Sequence, residues 1–123
     1  MIMKKIINPK DFFYLLADET RLRCVLLMQT RGEICVCEFT AALKIIQPKI
    51  SRHLAIIKKF NLVEDRRDGI WVYYKINSKL PKWIQNVLSD MAKNITSAGP
   101  YDTDLIMFDN LGVRSKSGSK CCN

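Results

Sequence analysis

The chain has 123 residues, a formal net charge of +8 and 48% hydrophobic residues, which fits one domain with a packed core. Charged residues make up 26%, so a wholly disordered chain is excluded, and no apolar run reaches the ~18 residues of a membrane helix. The excess of basic residues fits a polyanionic partner, either nucleic acid or an anionic membrane surface, but on charge alone it equally fits a soluble basic protein. We expect a cytoplasmic protein without a membrane partner, because the N-terminal segment lacks the apolar stretch and cleavage site of a signal peptide.

The first half of the chain has the periodicity of helices. Pro9 opens a short helix, and Asp18 precedes a second helix that ends near Gly32. A third, short helix is expected over residues 33–43. A fourth runs from the turn containing Pro48 to about residue 60, with apolar residues spaced three or four apart on one face.

Beyond residue 60 the periodicity changes. The runs 62–67 and 70–76 are rich in β-branched and aromatic residues, and Asp68-Gly69 between them is a strong hairpin signal. A last helix is predicted over residues 80–95, and Gly99-Pro100 ends it. We therefore expect one domain over residues 1–97, followed over residues 98–123 by a flexible C-terminal tail with vicinal cysteines.

This order of elements predicts a winged helix-turn-helix, a mainly α fold with a small β-hairpin (α+β). In this fold the second helix of the turn motif enters the major groove of DNA. The fourth helix supplies the polar, basic face that this requires, and the hairpin tip adds two arginines. The candidate DNA-binding residues are Gln47, Lys49, Ser51, Arg52, His53, Arg66 and Arg67.

Each of these residue types has a physical role at a DNA surface. Arg can donate two hydrogen bonds to guanine, Gln can pair with adenine, and Ser can reach bases or phosphate. Lys neutralises phosphates and adds affinity more than sequence choice. Arg66 and Arg67 suit phosphates or a narrow minor groove. His53 is the only histidine, and we expect it to contact DNA or support the helix rather than to catalyse a reaction.

Five cysteines are grouped in a way that indicates ligand or redox chemistry. Cys24 lies in an apolar helical run and is expected to be a small buried hydrophobic residue. In a reducing compartment the other four do not form a disulfide framework. The candidate metal ligands are Cys35, Cys37, Cys121 and Cys122.

Four fragments of the chain together resemble a known family. They are 15–23 (LLADETRLR), 32–38 (GEICVCE), 47–54 (QPKISRHL) and 69–74 (GIWVYY). They look like the arsenic-responsive branch of the ArsR/SmtB metalloregulators, and the resemblance covers roughly residues 10–95. It implies a homodimer that represses an arsenic-resistance operon and leaves the double-stranded operator when trivalent arsenic or antimony binds, with no other cofactor required.

The same resemblance implies a dimer interface formed by the first and last helices. Here these correspond to the apolar faces around 12–16 and 80–95. Both faces carry more apolar surface than one small core needs, which independently favours a dimer.

The inducer is expected to bind thiolates, because trivalent arsenic and antimony are soft. Cys35 and Cys37 would lie on opposite sides of a regular helix but on the same side of an extended or distorted segment. We therefore expect binding to distort the start of the third helix. The family pattern has a third cysteine where this chain has Thr40. Three arrangements stay open: Cys35 and Cys37 with a solvent or organic group, a third thiolate from Cys121 or Cys122, or a separate site formed by that tail pair.

Other features bear on rival functions. Ile46 stands where a Ser or Thr helix cap is usual, and the last helix has no His, so a zinc site there is not expected. One alternative keeps DNA binding but makes the cysteines sensors of oxidants or of cadmium or lead. A thiol enzyme such as a reductase is disfavoured because the sequence has no phosphate loop and no Cys-X-X-Cys. A winged-helix module without DNA binding would not need the basic helix face.

Overall fold

The computed structural model describes residues 7–111. Its helices and strands form a winged helix-turn-helix of the expected α+β class. In chain order they are α1 (Pro9–Leu16), α2 (Glu19–Arg31), β1 (Ile34–Cys35), α3 (Val36–Leu43), α4 (Gln47–Lys59), β2 (Val63–Asp68), β3 (Trp71–Ile76), α5 (Lys82–Ile95) and α6 (Tyr101–Asp109). None of the helices in this range is both long and apolar enough to cross a bilayer.

The first two helices begin and end at residues with clear capping roles. The side chain of Asn8 accepts a hydrogen bond from the backbone N–H of Asp11 at 2.9 Å, and that of Asp18 accepts from Arg21 at 3.0 Å. Each satisfies a backbone donor that has no partner inside the helix. α2 ends at Gly32, whose φ of 85° is a conformation that glycine adopts without strain.

The wing is the hairpin of β2 and β3, residues 63–76. Asp68 pairs with Trp71, so its two-residue turn is Gly69-Ile70, one residue beyond the predicted Asp68-Gly69. A third strand that was not predicted, β1, pairs antiparallel with β3, so that Cys35 lies opposite Tyr73. The sheet order is β1-β3-β2. The third helix therefore begins at Val36, later than the expected start at residue 33, because the two preceding residues are extended and bonded to the wing.

The core joins the helices to the base of the wing. Phe12, Phe39, Leu54 and Ile84 are fully buried in it. Cys24 is also fully buried, which confirms its prediction as a small hydrophobic residue. Burial raises the pKa of its thiol to about 12, so Cys24 is not a ligand at neutral pH.

Helix α6 lies inside the segment 98–123 that was expected to be a flexible tail. It packs on α2 and α3, buries Phe108, and places Asp104 against Arg23 with two contacts of 2.7 and 2.8 Å. Apolar burial and an ion pair therefore hold residues 101–109 to the domain, and the structured region extends beyond residue 97.

Candidate functional site

The outer face of α4 is polar and open to solvent. Gln47, Lys49 and Arg52 are exposed and Ser51 is half-buried. The amide of Gln47 donates to the Ser51 hydroxyl at 2.8 Å, one helical turn away. The opposite face is buried in the core through Ile50, Leu54 and Ile57. This division leaves a row of hydrogen-bonding and cationic groups where a recognition helix presents them.

Several cations on this surface are not neutralised by a carboxylate among the described residues. No carboxylate within residues 7–111 forms a salt bridge with Lys49, Arg52 or Arg67. Lys58 differs, because its ammonium group lies 2.9 Å from the Asp65 carboxylate. Salt bridges of this exposed kind are weak. The three cations that have no salt bridge among the described residues are better placed to meet phosphates or base edges.

Arg66 is exposed, but its guanidinium is paired with a neighbouring carboxylate. Its guanidinium donates two hydrogen bonds of 2.8 Å to the Glu33 carboxylate and lies over the Tyr73 ring, 4.4 Å from the ring centre. The hydrogen bond with Glu33 raises the pKa of Arg66. Of the two wing arginines predicted to bind DNA, Arg67 is therefore the one that no described carboxylate occupies.

His53 does not lie on the groove-facing side of α4. It is 7% exposed, and its Nδ1 lies 3.4 Å from a guanidinium nitrogen of Arg21 and 3.9 Å from the Asp18 carboxylate. Burial is the main cause that lowers the pKa of His53, and the charges of Arg21, Arg52 and Lys49 add to it. The neutral ring then accepts from Arg21, so this predicted DNA-binding residue has a supporting position instead.

Cys35 and Cys37 lie together at the start of α3. Their Sγ atoms are 3.2 Å apart, because Cys35 is an extended residue with φ −75° and ψ 147° that precedes the first turn. The two cysteines therefore do not lie together on a regular helix, the arrangement for which opposite sides were expected. Cys37 is disulfide-bonded in this structure, contrary to the expectation for a reducing compartment. Once that bond is reduced, the two sulfurs can meet one ion without unwinding α3.

The backbone around Cys35 is organised by Glu38. The Glu38 carboxylate accepts the N–H of Cys35 at 2.8 Å, and the Cys35 side chain faces the N–H of Glu38 in a reciprocal capping box. Burial raises the pKa of the Cys35 thiol, although backbone N–H groups of Cys37, Val72 and Glu38 oppose that rise. The thiol is therefore protonated at neutral pH and has donors near it that favour the thiolate once a proton leaves.

The two cysteines line a groove of about 490 Å³ between the start of α3, α4 and the wing. We call it the wing groove. Its polar lining comes from Gln47, Ser51 and Arg67, and its apolar lining comes mainly from the wing: Ile70, Trp71, Val72 and Tyr74. The two sulfurs and several of the predicted DNA-binding side chains therefore share one cavity.

Within residues 7–111, the candidate metal ligands that lie together are the sulfurs of Cys35 and Cys37. No group of three or more His, Cys, Asp or Glu side chains in this range could hold a metal ion. Thr40, at the position of the third family cysteine, donates its hydroxyl to the Val36 carbonyl at 3.2 Å. The predicted ligands Cys121 and Cys122 lie outside the described residues.

Sequence reasoning missed several residues that shape this site. Glu33 binds the guanidinium of Arg66, and Glu38 accepts the backbone N–H of Cys35. Arg21 donates to the end of α1 and contacts His53. A capping pattern gave a signal for Glu38, because it stands three residues after the first cysteine. Trp71 was assigned to the wing but not to the groove, because its approach to the cysteines depends on the pairing of β1 with β3.

The chain matches the model of the bacterial regulatory proteins of the arsR family over residues 18–65. It is 51% identical over 117 residues to the arsenic resistance transcriptional regulator ArsR2 of Pseudomonas putida, covering 95% of this chain and 100% of that protein. It is 45% identical over 82 residues to the arsenical resistance operon repressor of Escherichia coli, covering 67% and 70%.

Among solved structures, the transcriptional regulator HlyU of Vibrio vulnificus has a TM-score of 0.59 and 26% identity, covering 67% of this chain and 81% of that one. A thiol enzyme is set aside, because the family consists of regulators rather than catalysts. With its exposed basic α4, its wing and its close relatives, the chain belongs to the arsR family of bacterial transcriptional regulators.

Proposed function

We propose that this chain is a cytoplasmic repressor that binds double-stranded operator DNA as a homodimer and dissociates when trivalent arsenic or antimony binds Cys35 and Cys37. The observation that carries the proposal is the Sγ–Sγ distance of 3.2 Å at the wall of the wing groove. Two thiolates of this spacing form a chelating pair for a soft ion. Relatives named for arsenic resistance support the choice of inducer.

The geometry of the sulfurs suits a pyramidal trivalent centre. Bonds of about 2.3 Å, the length of a zinc–thiolate bond, from two sulfurs 3.2 Å apart would meet one ion at an angle of about 90°. Ion binding replaces the Cys35 proton and changes the charge beside the Glu38 carboxylate. A change at Cys35 therefore acts directly on the first turn of α3. It also acts on the wing, because β1 is hydrogen-bonded to β3.

DNA binding is assigned to the exposed face of α4 and to Arg67. The Arg52 guanidinium is exposed and has no described carboxylate to compete for it. We expect Arg52→Ala to weaken binding to the operator by about 10- to 100-fold, the effect of losing one good base contact, and to reduce the preference over random DNA. Lys75→Ala, an exposed wing residue with no assigned contact, is the control. Equal affinity of the wild type for operator and random DNA would contradict the proposal.

The inducer site is tested by fluorescence anisotropy of the reduced protein on DNA from upstream of its own gene. Arsenite is titrated against the wild type and two double variants, Cys35→Ser/Cys37→Ser and Cys121→Ser/Cys122→Ser. We expect release by arsenite in the wild type and its loss in the first double variant. Ser preserves helix-capping ability at position 35, so the variant should still bind DNA.

The remaining arms of this titration decide between the alternatives. Loss of release in both double variants would make a tail cysteine the third ligand. Release by peroxide but not by arsenite would identify a redox sensor, and release by cadmium alone would identify a divalent-metal sensor. Either of the last two results would overturn the assignment of arsenic or antimony as the inducer.

A further inference from the structure

The recognition helix α4 begins without a capping side chain. Ile46 occupies its N-cap position and offers no hydrogen-bond acceptor to the N–H groups of the first turn. The starts of α1 and α2 differ, because Asn8 and Asp18 accept such hydrogen bonds there. The direction of α4 therefore depends more on the turn that precedes it than on residues of its own first turn.

That turn, residues 44–46, joins α3 to α4. Its first residue, Lys44, has a φ of 57°, a left-handed conformation that costs free energy for a residue with a Cβ atom. The side chain of Ile45 packs against the hydrophobic core, whereas Ile46 is 70% exposed. A turn with a strained residue and an exposed end needs contacts from other elements to keep one shape.

Arg23 of α2 supplies such a contact at the end of α3. Its Nη2 donates to the carbonyl of Leu43, the last residue of α3, at 3.1 Å. The last carbonyls of a helix have no partner inside it, and a cation near them also meets the negative end of the helix dipole. The guanidinium thus fixes the residue that immediately precedes the turn.

Asp104 of α6 orients this guanidinium. Its two carboxylate oxygens accept hydrogen bonds of 2.8 and 2.7 Å from Nε and Nη2 of Arg23, a bidentate pairing that fixes the plane of the group. The side chains of Arg23 and Asp104 are 16% and 5% exposed, so water competes little for either. Phe108, buried on the same helix, keeps the carboxylate in place.

We propose that Asp104 is a positioning residue for DNA binding, which acts through Arg23 on the turn that orients α4. The proposal rests on the DNA-binding role proposed for α4 and is independent of the inducer site. Without the carboxylate, the guanidinium can turn toward water and release the Leu43 carbonyl. α4 then adopts a wider range of directions, and base contacts, which need placement within about 0.5 Å, are lost part of the time.

The test compares the two aspartates of α6. Operator binding of reduced full-length protein is measured by fluorescence anisotropy for the wild type, Asp104→Asn and Asp109→Asn. Asp109 pairs with Arg31 at the surface, so its variant is the matched control. We expect about tenfold weaker operator binding for Asp104→Asn, within the range usual for changes in a contact network, and no change for Asp109→Asn. Binding to random DNA should change less, because phosphate contacts carry it.

Two further measurements separate positioning from a loss of stability. All variants are compared at a temperature at which urea denaturation shows nearly every molecule to be folded, so that lost stability cannot weaken binding tenfold. Ile46→Ser supplies the missing cap of α4 and should restore most of the affinity lost in Asp104→Asn, with a much smaller effect in the wild type. An ion pair that only stabilises the fold would not be compensated in this way.

Arg23→Lys is a second variant, in case Asp104→Asn folds poorly. Lysine keeps the charge beside Asp104 but lacks the fork that reaches the carboxylate and the Leu43 carbonyl together, so operator binding should weaken here too. Unchanged operator affinity in both variants, or an equal loss in Asp109→Asn, would overturn the proposal. A loss that Ile46→Ser does not restore would also overturn it. Equal binding of operator and random DNA by the wild type would refute instead the proposed function on which the inference rests.

Discussion

The side chains of Asp18, Arg21 and His53 form a polar cluster beneath the recognition helix. The Arg21 guanidinium donates to the Leu15 carbonyl at 2.9 Å and lies 5.1 Å from the centre of the Tyr14 ring. It therefore joins the end of α1 to α2 and, through His53, to α4. Because Arg21 is always charged, the cluster stays satisfied only while His53 is neutral and can accept a hydrogen bond.

This cluster makes stability depend on pH. Burial and nearby cations lower the pKa of His53 from its ordinary value of 6.5, so below pH 6.5 the unfolded chain binds more protons than the folded protein. The free energy of unfolding should therefore fall as the pH drops from 7.5 to 5.5, with a slope of at most about 1.4 kcal/mol per pH unit from this group.

The measurement is urea denaturation of the wild type and His53→Gln at several pH values. Gln can still accept from Arg21 but does not titrate, so its curve should be flatter over this interval. An identical pH dependence in the two proteins would remove His53 as the cause. The Asp18 carboxylate makes a separate contribution to the pH dependence of stability, at lower pH. Burial raises its pKa, but backbone hydrogen bonds and the charges of His53 and Arg21 outweigh burial, so the pKa is lowered overall.

At the scale of elements, α6 is attached to α2 by two ion pairs of different burial. Arg23 binds Asp104, whose side chain is 5% exposed, and also donates to the Leu43 carbonyl at the end of α3 at 3.1 Å. Arg31 binds Asp109, whose side chain is 51% exposed. The inner pair thus connects α6, α2 and α3, whereas the outer pair joins two surfaces in water.

The two aspartates provide a matched comparison. Asp104→Ala leaves a largely buried guanidinium without its carboxylate and should lower the free energy of unfolding by about 3 kcal/mol. Asp109→Ala should lower it by less than about 1 kcal/mol, as is usual for exposed pairs. Chemical denaturation measures both. Similar losses in the two variants would show that burial does not decide the contribution of these pairs.

The elements differ in how far the sequence could predict them. The recognition helix and the wing were predicted correctly, because apolar spacing and the Asp68-Gly69 dipeptide are local signals. β1 has two residues, too few to show a period, and depends on pairing with a distant strand. α6 was missed because 105–108 are four consecutive apolar residues, a run that does not by itself indicate a helix.

The candidate site, like the elements, was predictable from the sequence only where the signal is local. The residue types of α4 and the two cysteines follow from motif and spacing. Their actual placement does not, since it depends on tertiary contacts: Glu33 engages Arg66, Arg21 engages His53, and the extended Cys35 brings its sulfur to Cys37. Contacts between residues that are far apart in sequence leave no trace in local periodicity.

On the scale of the whole molecule, α1 and α5 carry a cluster of aromatic rings in which Phe12 is buried and the outer rings are exposed. Phe12 and Trp83 have ring centres 5.4 Å apart, and Phe13 lies 6.3 Å from Trp83. Phe13 and Tyr14 are each 54% exposed. A surface of this kind on the first and fifth helices fits the proposed homodimer, in which two recognition helices would reach successive turns of the major groove.

The dimer is tested by placing a charge in this cluster. Phe13→Asp should weaken self-association by about thirtyfold or more, as expected for the loss of an aromatic residue at the centre of an interface, and should weaken operator binding with it. Ile106→Asp on α6, where the native side chain is 57% exposed, is the control. Analytical ultracentrifugation reports the mass. A wild-type chain that sediments as a 14.2 kDa monomer at micromolar concentration would refute the dimer.

The pairing of β1 with β3 has a consequence for protein engineering. Cys35 is hydrogen-bonded into the sheet of the wing, and α4 lies between those two strands in the sequence. The helix proposed to contact the operator thus lies, in the sequence, between two strands of the sheet that holds the proposed inducer ligand Cys35. Exchange of the exposed α4 residues could redirect the regulator to another promoter while its response is retained, whereas a transplanted wing would have to bring the cysteine segment with it.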